Sequence, residues 1–178
     1  MSIIDKAIAA VTPPESEEAR AEATRKAREA AGGSDWLSAA LEHHDMIREG
    51  LAEGLSATSP QERLEAMKRL ALVLNGHSLA EEIVLYPALA KAHEKGHANM
   101  AYTEQTATKM QMAELERLDP ASEEWRDKLE HIQGALLHHM YEEEGNWFLD
   151  LKQEAPDQQK LTMRFLEEYE RYVGDARH

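Results

Sequence analysis

The chain contains no cysteine. That removes disulfides, thiolate metal sites, iron–sulfur clusters and cysteine nucleophiles, and leaves histidine and carboxylate as the side chains able to hold a metal. It also lacks a surplus of positive charge, since 20 Lys and Arg face 34 Asp and Glu for a formal net charge of −14. A surface of that sign repels a phosphate backbone and an anionic membrane, so neither nucleic acid nor a membrane is expected as a partner. No segment approaches the roughly 20 apolar residues needed to cross a bilayer, and "MSIIDKAIAAVTPPESEE" has no basic n-region. A cytoplasmic protein is the default expectation. Strand and hairpin patterns are missing as well.

What is present reads as helix. At 178 residues and 42% hydrophobic content the chain is long enough for one core and short for two. "TPPESEEARAEATRKAREAAGG" opens with Thr12 as N-cap, prolines in the first turn and Glu15 at the capping-box position, and closes on Gly32 and Gly33. Its Ala, Glu and Arg interior places it on a surface. A second helix carries Leu37, Leu41, Ile47, Leu51 and Leu55 at helical spacing. A third starts at Ser59-Pro60 with Glu62 in the capping pattern and is expected to end at Pro87. A fourth covers about Ala98 to Leu118, a fifth follows Asp119-Pro120, and a last amphipathic helix carries Leu161, Phe165, Tyr169 and Tyr172, with Gly174 as its stop. The expected fold is all-α: an antiparallel four-helix bundle over 35–152, preceded by a helical extension at 1–34 and followed by a helix packed on the bundle at 153–178.

Two segments repeat one another. "HSLAEEIVLYPAL" from His77 and "HMYEEEGNWFLDL" from His139 share a histidine, a Glu-Glu pair four and five residues later, and an aliphatic or aromatic pair at eight and nine. On a helix, His77 and Glu81 stand one turn apart on one face, as do His139 and Glu143. Both pairs continue apolar stripes, Met67-Leu70-Leu74 and Ile132-Leu136, and therefore point inward. Lone ionised carboxylates in an apolar core are costly, and a shared cation removes that cost. His44, 33 positions before His77, lies on the stripe of the second helix. Nearly the same step back from His139 reaches Gln105. The stripe through Thr108 and Leu115 runs to Glu104 as well as to Gln105, and Glu104, the better ligand, is expected to face the centre with Gln105 behind it. His93, His97 and His131 read as ordinary histidines, and Met100, Met110 and Met112 as core filling.

One histidine followed by His-x-x-x-Glu, twice over on four helices, resembles the hemerythrin-like, or HHE cation-binding, family from about His43 to Leu149. The resemblance implies a non-haem di-iron centre with His44, His77, Glu81, His139 and Glu143 in the ligand positions. Oxygen-carrying hemerythrins have two histidines one turn apart on the third bundle helix, where this chain has Ala101 and Gln105, which argues against simple reversible oxygen carriage. His43 and His138, each beside a ligand histidine, and Tyr102, within a turn of the centre and able to donate to a bound oxygen species, are expected in supporting roles. The mixed nitrogen and oxygen donor set favours iron, two per chain, with zinc or manganese as alternatives. With Glu104 in place of imidazole, the expected function is redox or detoxification chemistry on peroxide, oxygen or nitric oxide. The alternatives are a module that binds or senses oxygen, nitric oxide or iron without turnover, and a structural metal-binding bundle. A monomer or homodimer is expected.

Overall fold

Helix starts in this chain are set by side chains that accept the first free backbone N–H groups. In the computed structural model, which describes residues 15–92 and 95–175, Ser16 accepts from Ala19 at the start of α1 (Glu17–Ala30) and Asp35 accepts from Ser38 at the start of α2 (Trp36–Ser56). Ser59 and Glu62 form a reciprocal capping box that opens α3 (Pro60–Ala80). Ser122 accepts from Trp125 at the start of α6 (Glu123–Glu142). The cap of α1 is thus Ser16; Thr12 lies outside the described residues. Between these, α5 spans Lys95–Leu115, and α8 spans Gln158–Asp175, one residue past Gly174.

Pro87 does not end the third long helix. A π turn over Glu81–Leu85 follows α3 and leads directly into α4 (Tyr86–Lys91), with the Tyr86 N–H bonded to the Glu81 carbonyl. Proline removes a backbone donor, and a widened turn just before it keeps the chain helical. The Tyr102 hydroxyl, 2.7 Å away, donates to the Glu82 carbonyl, whose π-register donor would have been the missing N–H of Pro87. The repeat reproduces the feature without the proline: a second π turn, Glu143–Trp147, joins α6 to α7 (Phe148–Glu154), and the Phe148 N–H bonds the Glu143 carbonyl.

Among the described residues every regular element is helical. The long elements close a ring in which α2 packs on α3, α4 on α5, α5 on α6 and α6 on α2, and short connections between neighbours make them antiparallel. Each π turn meets one terminal helix: α8 packs on α2, α3 and the first π turn, and α1 packs on the second. The close approach of α8 to α3 depends on Gly76, where a Cβ would stand 2.9 Å from Val173. Two apolar clusters result. One centres on Trp36, Trp147, Phe148 and Phe165, the other on Ile47, Leu70, Trp125 and Ile132, and buried histidines and glutamates lie in the same interior. Met112 belongs to the second cluster, but Met100 and Met110 are about half exposed (46% and 52%) and fill no core.

Candidate metal centre

Four side chains converge at the middle of the bundle: His44 from α2, His77 from α3, and Glu81 and Glu143, the first residues of the two π turns. Their candidate ligand atoms all lie within 4.8 Å of one another, and all four side chains are buried. The Nε2 atoms of His44 and His77 face each other at 3.2 Å. His44 Nε2 is also 3.2 Å from Glu143 Oε2, and His77 Nε2 is 3.2 Å from Glu81 Oε2. On the other side of Glu143, Oε1 is 3.3 Å from His139 Nε2.

Carboxylates orient two of the imidazoles from behind. Glu144 Oε1 is 2.7 Å from His44 Nδ1, and Glu104 Oε2 is 2.7 Å from His139 Nδ1. A carboxylate only accepts, so each Nδ1 carries the proton and each Nε2 can turn a lone pair to the centre, the arrangement found behind metal-bound histidines. Arg48, 2.7 Å away, holds the same Glu144 oxygen, and Thr24 of α1 donates to the other. The expectation for Glu104 is therefore corrected. Its carboxylate stands behind His139, and the buried line of α5 runs through Ala101, Gln105, Thr108, Met112 and Leu115, so Gln105 is the residue that faces inward. Its Nε2 donates to Glu81 Oε2 at 2.5 Å and to the Tyr86 hydroxyl at 2.6 Å.

Tyr86 was not among the expected site residues. Its hydroxyl is 2.8 Å from Glu143 Oε1, 3.2 Å from Glu81 Oε2 and 3.2 Å from His139 Nε2. Its partner in the repeat is Phe148, which stacks on His44 with ring centroids 5.7 Å apart. The signal was the aromatic at the ninth position of both copies, and nothing in the pattern said that one hydroxyl would be turned inward. Glu144 was equally visible as the second Glu of its pair. Tyr102 is committed to a backbone carbonyl. His138 leaves the centre for a 3.0 Å contact with Glu15. His43 supports the site by packing, stacked on Tyr169 at 3.7 Å and edge-on to His77 at 5.5 Å; burial lowers its pKa to about 4, so the ring is neutral at pH 7. His93 lies outside the described residues.

The electrostatics of the cluster set its buried histidines and glutamates against one another. Burial alone would lower the pKa of His44, but its contacts with Glu143 and Glu144 hold it raised. Burial likewise opposes ionisation of His139, and Glu143 and Glu104 overcome it to hold that pKa well above the usual value. Burial and then the Glu143 charge push Glu81 far above the carboxylate range. Glu143, despite its burial, is held well below that range by His139 and His44. Burial and the charge on His44 push His77 far down. Several buried acceptors have no hydrogen-bond partner among the described residues, among them Glu81 Oε1 and Glu143 Oε2. Buried polar atoms of that kind are rare without an ion or water. Inward imidazole nitrogens beside orphaned carboxylate oxygens fit a cation of the first transition row.

The hemerythrin HHE cation-binding domain matches residues 36–150, the stretch that carries both repeats. The chain belongs to that family. This HHE protein is also similar, at 23% identity over 116 residues, to a protein described as a DNA nickase from Nostoc sp. (strain PCC 7120). The similarity covers 65% of this chain and 33% of the relative, so the chain matches about a third of that protein's length. No solved structure matches.

Proposed function

We propose that this HHE protein holds a non-haem di-iron centre between its four long helices and uses it in redox chemistry on a small oxidant, with peroxide ahead of oxygen and nitric oxide. The observation that carries the reading is the pair of carboxylate-anchored imidazoles, Glu144–His44 and Glu104–His139, aimed at two carboxylates with orphaned oxygens. His44, His77, His139, Glu81 and Glu143 would hold the iron. Bound iron supplies reversible electron exchange with a small ligand. The protein's own part is to hold the imidazoles with Nε2 free, to keep a phenol proton on Tyr86 beside Glu143 Oε1, and to exclude bulk water with the surrounding Trp and Phe side chains. The pKa of Tyr86 is pushed far up by burial and by Glu143 and Glu81, so the phenol is a donor at neutral pH. Gln105 supplies a second fixed donor.

The nickase similarity does not transfer DNA chemistry in this reading. The matched segment is a third of that protein, and a chain with net charge −14 repels phosphate. The test is metal analysis of protein from iron-supplied cells, with its visible spectrum and its consumption of added peroxide. Near-stoichiometric iron with a charge-transfer band and peroxide turnover is the expected result. Zinc with a featureless spectrum would replace the redox reading by a structural one, and iron without turnover would leave a binding module.

A further inference from the structure

A small cavity of about 10 Å³, with room for about one water, lies beside the centre between α2, α3, α5 and α6. His77, Gln105 and His139 form its inner wall. Ser78, Thr108 and Lys109 belong to its lining as well. Of all the side chains that line it, Lys109 alone reaches solvent; the rest are buried. Lys109 does not hang free. Its ammonium is 2.5 Å from Glu82 Oε1, a bridge from α5 to the first π turn.

The pseudo-twofold repeat makes the arrangement interpretable. Glu82 corresponds to Glu144, and Lys109, four residues after Gln105, corresponds to Arg48, four residues after His44. The Arg48–Glu144 bridge has the same logic in the other half, but there Glu144 is 1% exposed, holds His44 and also accepts from Thr24 of α1. That half is closed by a third helix and its cation is locked to a ligand-orienting carboxylate. In the first half Glu82 orients no histidine. Its side chain is 23% exposed and pairs with Lys109, itself 40% exposed.

We propose that the Lys109–Glu82 pair is the entrance through which a small ligand reaches the centre, and that the lysine charge speeds the entry of small anions while neutral molecules of the same size pass at a rate the charge does not set. A two- or three-atom ligand displaces the carboxylate at the ammonium, passes Thr108 and Ser78, and arrives at the face of the cluster formed by His77, Gln105 and His139. Once Glu82 is displaced, the Lys109 ammonium is a positive charge beside a buried site in a chain of net charge −14, and it draws a small anion to the cavity. Because exposed ion pairs are weak, its opening costs little.

The inference rests on the proposed centre for the ligand's destination but not for the route, and two measurements keep them apart. In the metal-free protein, dissolved oxygen should broaden the NMR signal of the buried Met140 methyl, which lines the cavity, more than methyls of Leu37 and Leu41 in the other apolar cluster. Lys109→Trp should remove that difference. Equal broadening at all three, or no effect of Lys109→Trp, overturns the route whatever metal the protein binds. In the iron-loaded protein, azide should bind with an on-rate that falls about tenfold in Lys109→Met and rises several-fold in Glu82→Gln, while the nitric oxide on-rate stays within twofold in both. Iron content per chain, measured alongside, should not change. An unchanged azide on-rate in both variants overturns the selection by charge. If the wild-type protein takes up no iron, the di-iron reading fails and the charge selection at a metal fails with it, while the broadening experiment still decides the route.

Discussion

The two copies of the His-x-x-x-Glu-Glu segment share a backbone and differ in what they do with it. In each, the histidine sits in the last turn of an α-helix and the first glutamate opens a π turn, Glu81–Leu85 in one and Glu143–Trp147 in the other. The widened turn keeps both carboxylates at the bundle centre while the helix continues beyond them. The second copy faces an imidazole: His44 lies beside it, Glu144 orients His44, and Phe148 stacks on the ring. In the first copy an amide, Gln105, stands where an imidazole would, and the ninth-position aromatic is Tyr86, whose hydroxyl reaches Gln105, Glu81 and Glu143. A phenol and an amide therefore occupy the space that an imidazole and a phenyl ring fill on the other side. One half is built of nitrogen donors, the other of hydrogen-bond donors.

Removing the residue common to both halves should have the largest effect. Glu143 touches His44 with one oxygen and Tyr86 and His139 with the other. Glu143→Ala should abolish metal binding and with it the metal-linked stability, about 3–4 kcal/mol at metal concentrations far above Kd, or a fall in Tm on the order of 10 °C. His77→Ala should act in the same direction. Metal content by elemental analysis and melting with and without added iron check both, and an unaltered metal content would remove these residues from the ligand set.

Making the halves alike is the sharper operation. Tyr86→Phe copies Phe148 into the first half and leaves Glu81, Glu143 and Gln105 short of a partner, a cost of about 1.5–3 kcal/mol for hydrogen bonds to charged groups. Combining it with Gln105→His restores the imidazole and phenyl pairing of the second half. The double variant should recover metal affinity that Tyr86→Phe loses. A double-mutant cycle on metal affinity and Tm measures that coupling, and strict additivity would mean that the two exchanges are unrelated.

Glu104→Ala and Gln105→Ala separate orientation from contact. Loss of Glu104 frees the His139 ring to change tautomer and should lower metal affinity about 10- to 100-fold without removing a ligand. Gln105→Ala should leave affinity nearer the wild-type value and change the rate of small-ligand binding, because its amide lines the cavity. Metal titration and stopped-flow binding distinguish the two.

This pair also marks where sequence reasoning stopped. The helical fold, the repeat and the inward phase of His44, His77, Glu81, His139 and Glu143 were legible because each sits on a strong apolar stripe with a period of 3.6. Helix α5 has a weak stripe, in which Ala101, Gln105, Thr108 and Gln111 are as buried as Met112 and Leu115. Hydrophobicity therefore did not decide its phase, and ligand quality pointed to Glu104 when spacing pointed to Gln105. The π turns were invisible for a different reason. Period-3.6 reasoning has no term for one extra residue per turn, so Pro87 read as a stop.

The smallest effect concerns how the second half is fastened. Asp35 caps α2 through Ser38, accepts from the Gly32 N–H, and binds Lys152 of α7 at the far end of the second repeat. Burial opposes its ionisation, but Lys152 and the Ser38 and Gly32 amides outweigh it and hold the pKa at about 2, below the ordinary 3.8. A depressed carboxyl contributes stability that is fully present above its unfolded pKa and is lost as pH falls through its folded pKa. The loss therefore belongs to the window from about pH 4 down to about pH 2, with no contribution to changes near neutrality. Screening at this partly exposed site leaves about 1 kcal/mol. Asp35→Asn keeps a capping oxygen but no charge, so the variant should lose part of that stability at pH 6 and show a flatter dependence of Tm on pH between 4 and 2 than the wild-type protein. Parallel curves through that window would mean that Lys152 does not stabilise the charged form, and that the second half is fastened by packing of Trp36 on Phe148 instead.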